Sequence, residues 1–437
     1  MIESPEIHKF GGSCLRDASD LERIAQIVLE AEKPLILVVS ALWGTTDRLM
    51  RAAKEPRYAG RLVNDLASHH LRFSPTLIDS PLHDLFQKVL DGIEFSLSAL
   101  AQDRNDVQAY NQLLAAGERL SALVIGHSLT MHGIDAHPVG AEDIGLHLDG
   151  VGTAKTVDME RSATCLDHDA FYGVPVVTGW FGEGRDGNIA LLGRGGSDHT
   201  ATALAALVQA QRVVLWKDVV GIYPVNPRWG IQTSPIPYLG YAEAIEFANA
   251  DATILHPATV EPVYAMGIPI EIRHLMGHRT NAMKTVIGPD IEGPSSIKGI
   301  ACIPRVACVE ANVRYSQDAA LSLSELLQHL NEEELRICSF ETSSTKWRFV
   351  FPQHQVKDAV SVIEQHATDV SYAYHAAMLS FIGCREIDVL KQTLGELYPS
   401  DEQMLHLTST SAHLLTQRVD ISAMLDEMVA ALKSDAV

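Results

Sequence analysis

The stretch Gly193-Arg194-Gly195-Gly196-Ser197-Asp198 joins an apolar run at 189–192 to an alanine-rich run at 200–209. This pattern predicts a strand, a glycine-rich turn and the first turn of a helix. Backbone N–H groups at such a helix start can bind an anion, and the helix dipole adds to the attraction. The guanidinium of Arg194 suits a carboxylate or a phosphate. The sequence therefore predicts an anion-binding loop within an α/β fold.

Strand-like and helix-like segments alternate over the first 290 residues. The apolar run Leu35–Val39 is typical of a buried parallel strand, and helices are predicted over 20–33, 111–132 and most of 42–100. Further short strands are predicted at 7–10, 136–139, 174–178, 213–216 and 268–273. This βαβ rhythm indicates a three-layer αβα domain with a mainly parallel sheet.

Turn-forming residues cluster around Gly288-Pro289-Asp290, and the pattern changes after them. Strands and helices then follow in an order close to βαββαβ, almost twice over, with separate strands at 370–374 and 377–382. This order is typical of two ferredoxin-like α+β modules. The predicted domains are therefore 1–290, 298–375 and 376–437.

The composition excludes several classes of protein. The chain of 437 residues carries 34 basic and 55 acidic side chains, a net charge of −21, which disfavours binding to nucleic acid. No apolar run is long enough to span a membrane, and residues 1–6 lack the apolar core of a secretion signal. The six cysteines are scattered without metal-ligand spacing, which predicts a reduced cytoplasmic protein without structural zinc.

Polar residues follow the first two predicted strands. Lys9 precedes Gly11, Gly12 and Ser13, where glycines allow a backbone to approach an oxygen-rich group and a lysine can neutralise a phosphoryl group. A tight turn with a solvated lysine is the alternative. Ser40 and Thr46 follow the second strand, so they are expected at the same crevice, unless they only cap a helix.

Two more segments are candidates for the site. Glycine is unfavourable inside a helix, so Gly117 beside Glu118 indicates the close approach of another group, although a solvated charged face is the alternative. The loop from Lys217 to Arg228 combines charged and aromatic side chains in a way that a nucleotide pocket could use, and a purely structural loop is the alternative.

In their order and spacing, these segments, with Leu255-His256-Pro257-Ala258, resemble the aspartate kinase branch of the amino acid kinase family. The resemblance implies that Lys9 stabilises a transferring γ-phosphoryl group and that Asp198 organises Lys9 and the phosphates. It implies that Arg194 binds the carboxylate of an amino acid and Glu118 its ammonium group. The implied substrate-binding residues are Ser40, Thr46, Glu118 and Arg194. The implied nucleotide-binding residues are Lys9, Gly11, Gly12, Ser13, Ser197, Lys217, Asp218, Tyr223 and Arg228.

The resemblance implies an ATP- and Mg²⁺-dependent kinase that converts L-aspartate to 4-phospho-L-aspartate, the first step towards lysine, threonine and methionine. Protein ligands for a metal are not expected. A kinase for another acidic acceptor and an inactive regulatory subunit remain alternatives. The C-terminal part resembles tandem ACT modules, which implies a homodimer and a lysine or threonine effector. Since residues 314–318 lack the glycine of an effector loop, a dimerisation platform without feedback is equally open.

The sequence departs from the family pattern at several positions. Cys14 replaces a hydroxyl residue, Trp43 replaces a small residue, and Asn226 replaces an aspartate. Thr253 stands where many members have a nucleotide-contacting lysine, which puts part of the ATP affinity in doubt but not the chemistry.

Overall fold

The structure is a computed structural model of the chain. It describes residues 4–150, 155–250, 254–277, 283–291, 293, 295–313, 319–343, 345–397 and 403–434. The chain forms two compact units. The first contains residues 1–222, 237–241 and 255–289, and the second contains 223–236, 242–254 and 290–437. The predicted limits of the three domains stay a prediction.

The first unit alternates strands and helices, as the βαβ rhythm predicts. Its strands are β1 Glu6–Phe10, β2 Leu35–Val39, β3 Ala136–Val139, β4 Leu148–Asp149, β5 Thr156–Val157, β6 Val174–Thr178, β7 Phe181–Glu183, β8 Ile189–Leu191, β9 Val213–Lys217, β10 Tyr238–Gly240, β11 Ile270–His274 and β12 Thr285–Gly288. Its helices are α1 Ala18–Leu29, α2 Thr45–Lys54, α3 Ala59–Leu71, α4 His83–Gln102, α5 Val107–Met131, α6 Met159–Cys165, α7 Gly196–Leu207 and α9 Pro257–Tyr264. Helix α8 Tyr241–Asn249 begins in this unit and continues in the second.

Eight of these strands form one sheet in the order β10-β12-β11-β9-β1-β2-β6-β3. All neighbouring pairs are parallel except β11 and β12. Side chains alternate between the two faces of each strand. Phe10 packs with α1 and α5 on one face, whereas Lys9 faces α7 on the other. The predicted three-layer αβα architecture is therefore confirmed.

The topology brings the functional segments to one edge of this sheet. Strands β1, β2 and β9 run parallel, with Lys9 aligned beside Val38 and Leu215. Their carboxyl ends therefore lie side by side, which is where ligands bind in open α/β sheets. Strand β8, which leads into the glycine-rich loop, pairs only with β7 in a two-stranded hairpin outside this sheet.

The described residues of the second unit form one antiparallel sheet of six strands. Its strands are β13 Gly299–Val313, β14 Ser339–Thr342, β15 Lys346–Pro352, β16 Ala367–Ile382, β17 Gln403–Leu407 and β18 Ser411–Thr416. Its helices are α10 Ala319–Glu332, α11 Val356–His366, α12 Ile387–Leu394 and α13 Ile421–Ser434. The strands lie in the order β14-β15-β13-β16-β18-β17. This antiparallel α+β arrangement is the one expected of ACT-type modules.

One sequence prediction in this unit is wrong. The strands predicted at 370–374 and 377–382 are a single strand, β16, because β13 pairs with it on both sides of His375. The predicted module boundary at 375 and 376 falls inside this strand, so both halves share one sheet. Each half still has its own apolar core, one around Phe349 and α11 and the other around Phe381 and α13. Residues 314–318 lie outside the described residues.

The two longest helices of the first unit, α4 and α5, pack against its apolar core. Among the described residues, no helix is both long and apolar enough to cross a membrane.

Candidate active site

Three charged side chains meet at the carboxyl edge of the sheet. Asp198, in the first turn of α7, lies 2.7 Å from the ammonium group of Lys9 on β1 and 2.7 Å from that of Lys217 on β9. Asp198 and Lys9 are almost completely buried, with 4% and 6% of their surfaces exposed. Burial alone would raise the pKa of the Asp198 carboxyl. The two ammonium groups outweigh that effect and hold the pKa well below its usual range, so the carboxylate is ionised.

The glycine-rich loop needs glycine where it enters α7. Gly195 has φ of 75°, and a Cβ atom there would lie 2.7 Å from the Cβ of His256. A Cβ on Gly196 would come within 2.6 Å of Trp180 and Leu192. The backbone of the loop therefore packs against His256, Trp180 and Leu192, which fixes the start of the helix and with it Asp198.

Glu118 is buried on the inner side of α5 rather than solvated. A Cβ on Gly117 would lie 3.0 Å from the Cβ of Ala41, so the glycine lets α5 approach the loop after β2, as the sequence predicts. The N–H of Ala41 donates a hydrogen bond to Oε1 of Glu118 at 3.2 Å. Oε2 has no hydrogen-bond partner within the described part of the chain. Burial raises the pKa of Glu118 to about 8, and the Ala41 N–H and the nearby Lys9 only partly oppose this.

Lys9, Asp198 and Glu118 line one cavity of about 380 Å³. Ser40 lies opposite α7 and donates a hydrogen bond to Ser197 Oγ at 3.0 Å. The predicted site residues that line the cavity are Lys9, Gly12, Ser40, Thr46, Glu118, Arg194, Ser197 and Asp198. The structure thus brings together all four predicted substrate-binding residues, although their roles stay predictions.

The cavity wall also contains residues that were not predicted from the sequence, among them Asp47 and Trp180. Trp180 follows β6, whose carboxyl end lies at the same edge of the sheet as that of β2. The sequence signal for Trp180 as a site residue is its position just after a predicted strand, which is also the signal for Ser40. Its φ of 72° is unusual for a residue with a side chain and marks a constrained part of the wall.

Some of the predicted nucleotide-binding residues line the cavity, whereas Gly11 and Asp218 do not. Gly11 lies against Lys9, because a Cβ there would be 3.2 Å from the Lys9 ammonium and 3.9 Å from Oγ of Ser13. Asp218 forms an exposed ion pair with Arg16, at 3.3 Å, and the Arg16 guanidinium lies over the ring of Trp43.

Two members of the predicted nucleotide-binding set lie outside the first unit. Tyr223 and Arg228 belong to the second unit, so their part in the site stays a prediction. Thr253 lies outside the described residues.

The cavity combines charges of both signs in a way that suits two ligands. Lys9 and Lys217 provide positive charge where a phosphate could approach the start of α7. Arg194 and Glu118 line the same space and could hold the carboxylate and the ammonium group of one small molecule.

A family model described as the amino acid kinase family matches residues 6–274. Aspartokinase 2, chloroplastic, of Arabidopsis thaliana is 29% identical over 296 residues, which cover 64% of this chain and 54% of that protein. The chain thus spans about half the length of that plant relative.

The fold of solved structures is similar over nearly the whole chain. The crystal structure of E. coli aspartokinase III with aspartate and ADP (R-state) covers 98% of this chain and 99% of its own, with a TM-score of 0.79 at 22% identity. The complex with lysine and aspartate (T-state) has the same coverage and identity, with a TM-score of 0.74. At this identity the likeness shows the fold.

The contact between Gly195 and His256 yields a testable prediction. The variant Gly195→Ala is expected to lower the midpoint of urea unfolding more than Gly187→Ala. Both glycines have φ of 75°, but a Cβ on Gly187 would meet none of the described residues within 4 Å. The left-handed backbone costs alanine about 1–2 kcal/mol at either position. The clash with His256 should add about 1–3 kcal/mol at Gly195 only. Equal shifts of the two midpoints would contradict the packing described here.

Proposed function

The chain belongs to the amino acid kinase family, and on this premise we propose that it phosphorylates L-aspartate. In the proposed reaction, ATP and the β-carboxylate of L-aspartate give ADP and 4-phospho-L-aspartate. This is the first step of the pathway to lysine, threonine and methionine. The observation that carries the proposal is the cavity in which Lys9 and Asp198 lie beside Glu118 and Arg194, with Asp198 also paired to Lys217.

In this proposal, the acceptor is recognised by its charges. The guanidinium of Arg194 binds a carboxylate, and the carboxylate of Glu118 binds the α-ammonium group. Ser40 and Thr46 offer hydroxyl groups on the opposite wall of the cavity. An α-amino diacid satisfies this set, since it has one ammonium group and a second carboxylate left to react. The E. coli enzyme with a similar fold has been crystallised with aspartate and ADP, which supports the same pair of ligands here.

The proposed chemistry needs charge neutralisation rather than proton removal. An aspartate β-carboxylate is already ionised at pH 7, so one of its oxygens can attack the γ-phosphorus in line. The bond from that phosphorus to the β–γ bridging oxygen breaks, and ADP leaves with the electron pair. Lys9 stabilises the charge on the transferring group, and Asp198 holds both lysines in position without accepting a proton.

The donor side of the cavity fits a polyphosphate. Lys9 and Lys217 supply positive charge. Gly12 lines the cavity, and a Cβ there would lie 3.1 Å from the Ala41 carbonyl, so this turn packs closely against the turn after β2. Mg²⁺ bound to the phosphates would neutralise part of their charge. Within the described residues no group of three or more His, Cys, Asp or Glu side chains could hold a metal. The proposal assigns Mg²⁺ to the phosphates of ATP, whose oxygens are the ligands this ion prefers.

Release of ADP tests the proposed reaction. The wild-type chain should release ADP with aspartate, and the variants Lys9→Met and Asp198→Asn should each lose at least about a hundredfold in turnover, because each removes preorganised charge. The control Lys54→Met removes an exposed lysine and should keep the wild-type rate. Circular dichroism would verify that the variants fold. Near wild-type turnover in either site variant would contradict the assignment.

The same assay separates the alternatives. Faster ADP release with glutamate or N-acetylglutamate than with aspartate would indicate another acidic acceptor. Calorimetric binding of amino acids without binding of ATP would indicate an inactive regulatory chain.

The buried carboxyl of Glu118 predicts that binding of aspartate releases a proton. With a pKa of about 8, Glu118 is mostly protonated at pH 7, and a bound ammonium group favours the ionised form. Titration calorimetry at pH 7 in buffers of different ionisation enthalpy should show release approaching one proton per site, falling as the pH rises above 8. Glu118→Gln should abolish the release, whereas Asp47→Asn, in the same cavity, should keep it. An enthalpy independent of the buffer in the wild-type chain would refute this role.

We also propose that the second unit forms a homodimer and binds lysine or threonine as an effector. The antiparallel sheet with two separate cores supports this, as does the similar fold of the E. coli enzyme crystallised with lysine. ADP release with aspartate should then fall when lysine, threonine or both are added. Unchanged rates, with a dimer seen by sedimentation, would indicate a dimerisation platform without feedback.

A further inference from the structure

A second cavity of the first unit, of about 950 Å³, lies in the groove between α4 and α5. Its floor is formed by Pro138 and Val139 at the end of β3 and by Thr178 at the end of β6. Small and apolar side chains form most of its walls. They include Val89 and Ala99 from α4 and Ala116 and Leu123 from α5. The volume lies within the range of small-molecule sites.

One end of this groove carries a charged pair. Arg119 donates a hydrogen bond from Nη2 to Oε1 of Glu142 at 2.5 Å and another from Nη1 to Oε1 of Gln112 at 3.1 Å. A guanidinium has five N–H groups, so three remain for a further acceptor. Oε2 of Glu142 is shielded from water and has no hydrogen-bond partner in the described part of the chain. Three N–H donors of Arg119 and one carboxylate oxygen of Glu142 therefore lie at this end without a hydrogen-bond partner among the described residues.

This groove is separate from the candidate active site. Glu118 and Arg119 are consecutive residues of α5, yet Glu118 lines the smaller cavity and Arg119 the larger one. The two sets of lining residues have no member in common. The pair of Arg119 and Glu142 therefore has no role in the proposed reaction.

We propose that the groove binds an α-amino acid with a large apolar side chain. Charge complementarity carries this choice, because a zwitterion can place its carboxylate on the unused N–H groups of Arg119 and its ammonium group on Glu142. The side chain then lies along the apolar walls towards Phe95, whose ring is 77% exposed at the rim. A ligand with only one charge would leave either the donors or the acceptor without a partner.

Calorimetric titration with L-phenylalanine and L-tryptophan tests this site without any requirement for turnover. Both should bind the full-length chain, and N-acetyl-L-phenylalanine and L-phenylalaninamide should bind at least about tenfold more weakly, since each lacks one charge. Arg119→Gln and Glu142→Gln should weaken L-phenylalanine binding by a similar factor. Glu118→Gln, in the other cavity, should leave it unchanged even if the proposed kinase activity proves wrong.

A blocking variant keeps the test decisive if the charge variants fold poorly. Gly92 lines the groove, and a Cβ there would meet nothing within 4 Å, so Gly92→Trp should fill the groove without straining α4. Gly60 of α3 is equally open and does not line the groove, so Gly60→Trp is the matched control. Binding should be lost in the first variant and kept in the second.

Three results would overturn the proposal. These are no binding of either amino acid at millimolar concentration, equal binding in the Gly92→Trp and Gly60→Trp variants, and binding of the singly charged analogues that is as tight as that of L-phenylalanine. A lower oligomeric mass of Gly92→Trp alone, measured by sedimentation, would show that a second copy of the chain covers the groove instead.

Discussion

The carboxylate of Asp198 is buried against the ammonium groups of Lys9 and Lys217, and none of the three charges would be stable there alone. Removing an ion from water costs several kcal/mol, which only a close partner of opposite charge offsets. The three side chains come from β1, α7 and β9, so the ion cluster requires the correct pairing of two strands and the correct docking of one helix. An incorrect register would leave a charge buried without a partner.

The parallel sheet provides the geometry that this cluster requires. Its strands end at one edge, and each end is followed by a turn that places polar groups above the sheet. Glycine is needed where another segment packs closely against these turns. Gly117 lets α5 approach the turn after β2, and Gly195 lets the loop before α7 pack against His256. Close backbone packing therefore brings Glu118 and Arg194 within reach of one small ligand.

Helix α5 lies between two cavities, and consecutive residues of it line different ones. Glu118 points towards the ion cluster, and Arg119 pairs with Glu142 in the groove beside α4. The 3.6-residue period of a helix turns consecutive side chains by about 100°, so neighbours in sequence face different surroundings. The charged pair Glu118-Arg119 would therefore look the same in the sequence whether both side chains were solvated or each faced a different cavity.

The sequence determined the parallel sheet and the polar ends of its strands, because apolar runs, glycine turns and charged residues are local signals. The glycine-rich stretch alone predicted the helix start, and the order of the motifs indicated the family. Only the tertiary structure decided that Lys217 contacts Asp198, that Trp180 lines the cavity and that Arg119 faces another groove, because these contacts join segments far apart in the chain. The tertiary structure also decided that β16 is one continuous strand, since its pairing with β13 outweighs the weak local break near His375.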